Sequence, residues 1–142
     1  MADDPGESLA AQLRDHGPLL PARARELARD LCAGLLANKR WRVLTVARIG
    51  ARGDRFVLLD EPDGAPPAWP RVDERDCVHS VGAVLYEALT GMPPFEASPD
   101  ALPADMRAPI LRCLQRDLER RFGTIAELAQ ALGVATGTPF GR

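Results

Sequence analysis

No stretch of the chain approaches the roughly 20 apolar residues that cross a bilayer. Its first residues, Met1-Ala2-Asp3-Asp4-Pro5, are acidic and carry neither the basic start nor the apolar core of a secretory leader. A soluble, cytoplasmic protein with no membrane partner is the expectation. Cysteine is scarce: Cys32, Cys77 and Cys113 are odd in number and far apart, without a Cys-x-x-Cys pair or histidines at ligand spacing. That argues against a disulfide scaffold or a zinc site and for free buried thiols in a reducing compartment. An excess of one charge is also missing. Lys+Arg number 18 against Asp+Glu 20, a formal charge of -2 with the signs interspersed, so no nucleic-acid partner is expected. His16 and His79 have no Cys, Asp or Ser beside them in a nucleophile pattern, so packing or surface roles are expected and a hydrolase is not. At 142 residues the chain can build one domain with a sizeable core but not two ordinary ones.

What is present is mostly helical periodicity. Ser8 to Gly17-Pro18 reads as a short helix capped by Ser8 and ended by the glycine. Pro21 sits where a second helix can begin, and Ala24, Leu27, Ala28, Leu31, Cys32, Leu35 and Leu36 recur at helical spacing as far as Asn38. The period then changes. Val43, Thr45, Ala47 and Ile49, then Phe56 to Leu59 after a turn over residues 50–54, predict a β-hairpin. Prolines rule out regular structure over most of residues 61–76. Residues 77–89 are apolar nearly all round a helix, which predicts burial on most faces; Gly91 stops it and Pro93-Pro94 cannot continue it. After a proline-rich loop, residues 103–115 predict a helix mildly interrupted at Pro109. Thr124 and Glu127 form a capping-box pair for a last helix over residues 125–132. The expected organisation is a flexible N-terminus at residues 1–7, one domain at 8–133 and a flexible tail at 134–142, with no internal repeat.

The order Val78-His79-Ser80-Val81-Gly82, Leu85-Tyr86-Glu87, then Leu89-Thr90-Gly91-Met92-Pro93-Pro94-Phe95 resembles the central C-lobe helix of bacterial eukaryotic-like Ser/Thr protein kinases. Ser8-Leu9 to Gly17-Pro18-Leu19 resembles the segment after the kinase hinge, and Asp117 to Phe122 resembles the kinase run Asp-Pro-x-x-Arg-Phe. The resemblance covers about residues 8 to 132 and implies a mainly α (α+β) fold: a C-lobe-like helical bundle with one small hairpin and no N-lobe. It also implies that Cys77, Gly82, Glu87, Phe95 and Arg121 occupy structural positions of that family.

Phosphoryl transfer is mostly positioning and charge stabilisation, so a kinase needs a Gly-rich phosphate cover, a strand Lys, a base Asp, and Asp plus Asn for magnesium. This chain has no Gly-x-Gly-x-x-Gly and no Val-Ala-x-Lys; Lys39, the only lysine, ends the second helix. Where a kinase would show His-Arg-Asp-x-Lys-x-x-x-Asn, Val43-Leu44 runs into Thr45-Val46-Ala47-Arg48-Ile49. Two alignments of Asp60 stand: on the Asp-Phe-Gly site, or on the turn between strands. In both it is a lone carboxylate and a weak candidate for holding a cofactor, so neither a cofactor nor a metal is expected. No Ala-Pro-Glu follows, and the Asp that opens the central helix of kinases falls on Cys77. Arg121 matches the structural Arg whose partner is the missing Glu; Glu74 or Glu87 is the expected substitute, unless the side chain lies partly exposed.

The resemblance thus implies a catalytically inactive minimal pseudokinase, acting as an interaction or regulatory scaffold module. The alternative is a nucleotide-binding or split-kinase subunit completed by a second chain. Val43, Val46, Phe56, Val57 and Trp69 form the candidate interaction surface around the hairpin, with Trp69 able to serve instead as its lid. The expected partner is a protein, with a Ser/Thr kinase or its target among the candidates, or a second copy of the chain.

Overall fold

The computed structural model describes residues 7–38, 41, 43–52, 55–58, 73–94 and 96–134. Among them, five helices pack around one core and carry a small antiparallel sheet at one side. The mainly helical, C-lobe-like architecture with a hairpin is the fold that the sequence predicts.

The first helix, α1 (Leu9–His16), starts where the Ser8 hydroxyl accepts the Ala11 amide N–H at 3.1 Å. It ends at Gly17, whose φ of 83° suits only a residue without a Cβ. Pro21 opens α2 (Pro21–Asn38), where its missing N–H costs nothing because first-turn amides have no helical partner. Ala24, Leu27, Ala28, Leu31, Cys32 and Leu35 are buried along one stripe of α2. Each leucine of that stripe contributes about 1.5–3 kcal/mol relative to exposure. The Leu19 N–H donates to the Ala88 carbonyl at 2.7 Å and ties the α1–α2 connection to the central helix.

That central helix, α3 (Glu74–Thr90), buries ten of its seventeen residues, so it is enclosed by its neighbours and not laid on a surface. α2 and α5 (Ile125–Leu132) pack on it, as does α4 (Ala104–Cys113). It starts three residues before the predicted Cys77, because Glu74 and Asp76 favour a first turn without being apolar. Gly91 stops it in the left-handed region at φ 80°, and its N–H donates to the Glu87 carbonyl at 2.7 Å. Pro109 does not interrupt α4, which runs unbroken to Cys113. At α5 the Thr124 hydroxyl accepts the Glu127 N–H at 3.1 Å, while the Glu127 carboxylate reaches back to the Gly123 N–H at 2.9 Å. The sequence signature of that cap is therefore realised one residue further out than in the standard box.

The sheet departs most from expectation. Residues 46–48 form a 3-10 turn, and β2 is Ile49–Arg52, so Gly50 and Ala51 lie in the strand and not in a turn. β3 is Arg55–Leu58, and the register Arg52↔Arg55 leaves two residues between the strands. Gly53-Asp54 was the available signal for that short connection. A third strand, β1 (Glu7–Ser8), pairs antiparallel with β2 through Glu7↔Ala51 and Ser8↔Gly50. Glu7 thus belongs to the fold and not to an N-terminal tail; residues 1–6 and 135–142 lie outside the described residues.

The core is closely packed at Gly82. A Cβ placed there would stand 2.3 Å from the Cys113 Cβ, with the Ile110 carbonyl at 3.3 Å, so α3 and α4 touch backbone to side chain. Gly82→Ala must push the two helices apart, and overpacking of this kind costs about 1–3 kcal/mol. Thermal unfolding followed by circular dichroism should show Tm falling by roughly 3–10 °C with the helical content kept. An unchanged Tm would mean that the two helices can separate freely.

Candidate functional site

The described surface candidates lie on and just before the hairpin, which packs on α2. The hairpin's first fixture is Asp30 on α2, whose side chain is 7% exposed. One carboxylate oxygen accepts the Phe56 N–H at 2.9 Å and the other accepts from the Arg29 Nε at 3.3 Å. A nearly buried carboxylate is tolerable only with such partners, and here they fasten β3 onto α2. The Arg23 guanidinium, held by Glu26 at 2.6 Å, lies 4.2 Å from the centre of the Phe56 ring and covers it.

This corrects one surface candidate. Phe56 is 4% exposed and belongs to the core, so it offers nothing to a partner. Sequence could not reveal that, because its cover comes from an arginine stem 33 residues earlier. Val46 and Val57 are half-buried, Val46 packing on the core. Val43 is 57% exposed. Trp69 and Asp60 lie outside the described residues, as does Phe95. The described part of the candidate face is therefore exposed Val43 with the partly covered Val46 and Val57.

At the start of α3, Cys77 is fully buried and the Ser80 hydroxyl donates to its carbonyl at 2.7 Å. Cys32 and Cys113 are buried as completely, which places one thiol from each of α2, α3 and α4 in the core. Burial, and then the nearby Cys77, pushes the Cys32 thiol up to about 12. Burial likewise raises Cys113, with Cys32 adding to it. Thiolate chemistry at these positions is suppressed at neutral pH. A thiol-reactive disulfide reagent should titrate none of the three in the folded protein and all three in denaturant; rapid reaction of the native chain would contradict the burial.

Arg121 resolves differently from either expected pairing. Its side chain is 9% exposed. The Nε and Nη2 groups both donate to the Gln115 carbonyl at 2.9 and 2.7 Å, and Nη1 donates to the Arg75 carbonyl at 3.3 Å. Among the described residues the nearest carboxylate is that of Asp76 at 3.9 Å. Glu74 is committed elsewhere, accepting the Ile125 N–H at 2.8 Å and so capping α5 from another helix. Glu87 is half-buried further along α3. The guanidinium fork is drawn to main-chain oxygens because the carbonyls past the end of α4 have no helical donors. Arg121 thereby clamps the α4–α5 turn to the first turn of α3.

His79 stands exposed on that first stretch of α3. Partial burial of the ring and then the Arg121 guanidinium lower its pKa below the ordinary 6.5, with Asp76 opposing. Below the unfolded value the unfolded chain binds more protons than the native one, so this group's contribution to stability declines as pH falls below about 6.5. A His79→Gln variant should match the parent in stability above pH 7 and gain relative to it on acidification below that value. Parallel stability curves for the two proteins would remove the effect. Arg121→Ala should cost about 1.5–3 kcal/mol in urea unfolding, with Arg121→Lys recovering only part because a single ammonium cannot reach both carbonyls.

Among the described residues no group of three His, Cys, Asp or Glu side chains is placed to hold a metal, and no helix is long and apolar enough to cross a membrane. No protein-family model matches the chain. The serine/threonine-protein kinase PknB of Mycobacterium tuberculosis is 36% identical over 89 residues, which takes in 48% of this chain and 14% of that kinase. PknB of Mycobacterium leprae is 35% identical over the same span. The kinase Pkn2 of Myxococcus xanthus is 28% identical over 186 residues, covering 92% of this chain and 22% of Pkn2. The chain is thus related, by partial similarity, to bacterial Ser/Thr kinases, and it spans less than a quarter of the length of each. The alignment with Pkn2 is longer than the chain itself: 186 positions against 142 leave at least 44 with no counterpart here.

Proposed function

We propose that the chain is a catalytically inactive, kinase-derived module that works by binding another protein. One observation carries the reading. α2 ends at Asn38 and β2 begins at Ile49, and the stretch between them, residues 39–48, contains no Asp, Glu or Asn. The kinase resemblance implies a base Asp and a magnesium-binding Asn in that stretch, and phosphoryl transfer has no substitute for their charge and geometry. The surplus positions in the Pkn2 alignment fit the loss of such a segment.

Two further features support it. Cys77 stands, in the kinase-like alignment, where an Asp would tie the central helix to the catalytic loop, and here that position is sealed in the core. By contrast Gly82 and Arg121 keep tight packing and hydrogen-bonding roles. Catalytic groups have gone where packing groups remain. The partner is a protein, either a Ser/Thr kinase, its target, or a second copy of this chain, engaged through a face to which the described residues contribute exposed Val43 with the half-buried Val46 and Val57.

A thermal-shift titration with millimolar ATP and Mg²⁺ tests the reading. A ligand present at about 100 times its dissociation constant adds roughly 2.7 kcal/mol to native stability, a shift of several degrees. The module described here gives no shift. A shift that disappears in Asp60→Ala would establish a nucleotide site and favour the split-kinase subunit completed by a second chain.

A further inference from the structure

Pro99, the end of α4 and the turn that follows it line a shallow cleft of about 550 Å³, broadly open to solvent. That volume lies within the range of ligand and peptide pockets. Its floor is apolar, made by Pro99, Leu111 and Leu114, and its rim is polar, with Gln115, Arg116 and Arg120. Leu118, 45% exposed, follows immediately in the same turn.

The arginines of this region fall into two groups. Arg107 donates to the Asp100 and Leu102 carbonyls, Arg112 donates to the Arg120 carbonyl and lies over the Phe122 ring, and Arg121 clamps the Gln115 carbonyl. Those three hold the fold together. Arg116 is exposed and makes no hydrogen bond or ion pair among the described residues. Arg120 is 77% exposed and faces only Asp117 at 3.8 Å, itself a lining residue of the cleft. The Gln115 side-chain amide likewise has no partner among the described residues. Two guanidinium groups and the Asp117 carboxylate therefore border an apolar floor, so the lining itself carries net positive charge, with exposed Glu119 in the same turn but outside the lining. Among the described residues no aromatic ring lines the cleft to stack a base, and the floor suits an aliphatic or aromatic side chain.

We propose that this cleft docks a short acidic segment of a partner protein, seating one leucine-sized or aromatic side chain on Pro99, Leu111 and Leu114 and flanking carboxylates on Arg116 and Arg120. Gln115 is placed to hydrogen-bond the segment's main chain. The inference rests on the interaction-module reading and gives that partner its chemistry, on a surface separate from the hairpin face.

Fluorescence anisotropy of a fluorescein-labelled Glu-Glu-Leu-Trp-Glu-Glu peptide with the whole chain tests it. Saturable micromolar binding is expected, weakening with added salt. The double variant Arg116→Glu with Arg120→Glu alters two exposed side chains and leaves the core alone, and should weaken binding roughly five- to ten-fold or more. A Lys-Lys-Leu-Trp-Lys-Lys peptide should not bind, and amide chemical-shift changes should concentrate on residues 99–102 and 111–120. Absence of saturable binding at millimolar peptide, equal affinity for the charge-reversed chain, or shifts confined to the hairpin would each overturn the cleft assignment. So would a dimer in solution that the double variant dissociates, which would make a second copy the occupant. A chain that binds neither peptide nor ATP loses the cleft alone, whereas an ATP shift removed by Asp60→Ala strikes the interaction-module reading itself.

Discussion

The contact between α3 and α4 at Gly82 sets the spacing on which the other packing depends. Because the glycine presents no Cβ, the Cys113 side chain fits against the α3 backbone, and α4 lies closer than two ordinary side chains would permit. α3 can then be enclosed by α2, α4 and α5 together, which is why Tyr86 and Leu85 are fully buried in a chain of modest size. The Tyr86 hydroxyl is still satisfied, donating to the Ala97 carbonyl in the loop that follows the helix.

Around this axis the polar ties are mostly between a side chain on one element and the main chain of another. Glu74 of α3 caps α5 through Ile125, Arg121 clamps the turn after α4 to α3, and Asp30 of α2 holds β3 through Phe56. Arg25 of α2 joins the set, donating to the Leu132 carbonyl at 2.5 Å at the end of α5 and pairing with Asp105 of α4. Its guanidinium holds the Asp105 carboxyl below the ordinary carboxylate range. Such contacts satisfy groups that helix ends and strand edges leave open. Together these contacts tie α2, α3, α4, α5 and β3 to one another, while Arg116 and Arg120 stay exposed just past the end of α4.

The helices were legible because each carries its own punctuation. Ser8, Thr124, Gly17 and Gly91 act within about one turn of where they stand, and α2 shows its stripe of Ala24, Leu27, Leu31 and Leu35 without reference to any other element. The strands were less so. Val43, Thr45 and Ala47 alternate like a strand but precede and enter a 3-10 turn, and β1 is two residues long, too short for any period to show. What was read at the site divides in the same way. The absence of Asp, Glu and Asn from residues 39–48 is a fact of the chain, but the burial of Phe56 depends on Arg23, and the partner of Arg121 depends on where α4 stops.

By itself the sequence determined the five helices, the kinase-like order of their motifs, and the lack of carboxylates and carboxamides in residues 39–48, since these are written in spacing and residue type. The tertiary structure alone decided that Arg121 takes main-chain oxygens in place of a carboxylate, that Glu74 caps a helix 51 residues away, and that two arginines are left bordering an apolar cleft. The physical reason is one of range. Caps and periodicity act over a single turn of chain, whereas a guanidinium or carboxylate binds whichever donor or acceptor the packing of α3, α4 and α5 leaves unpaired beside it.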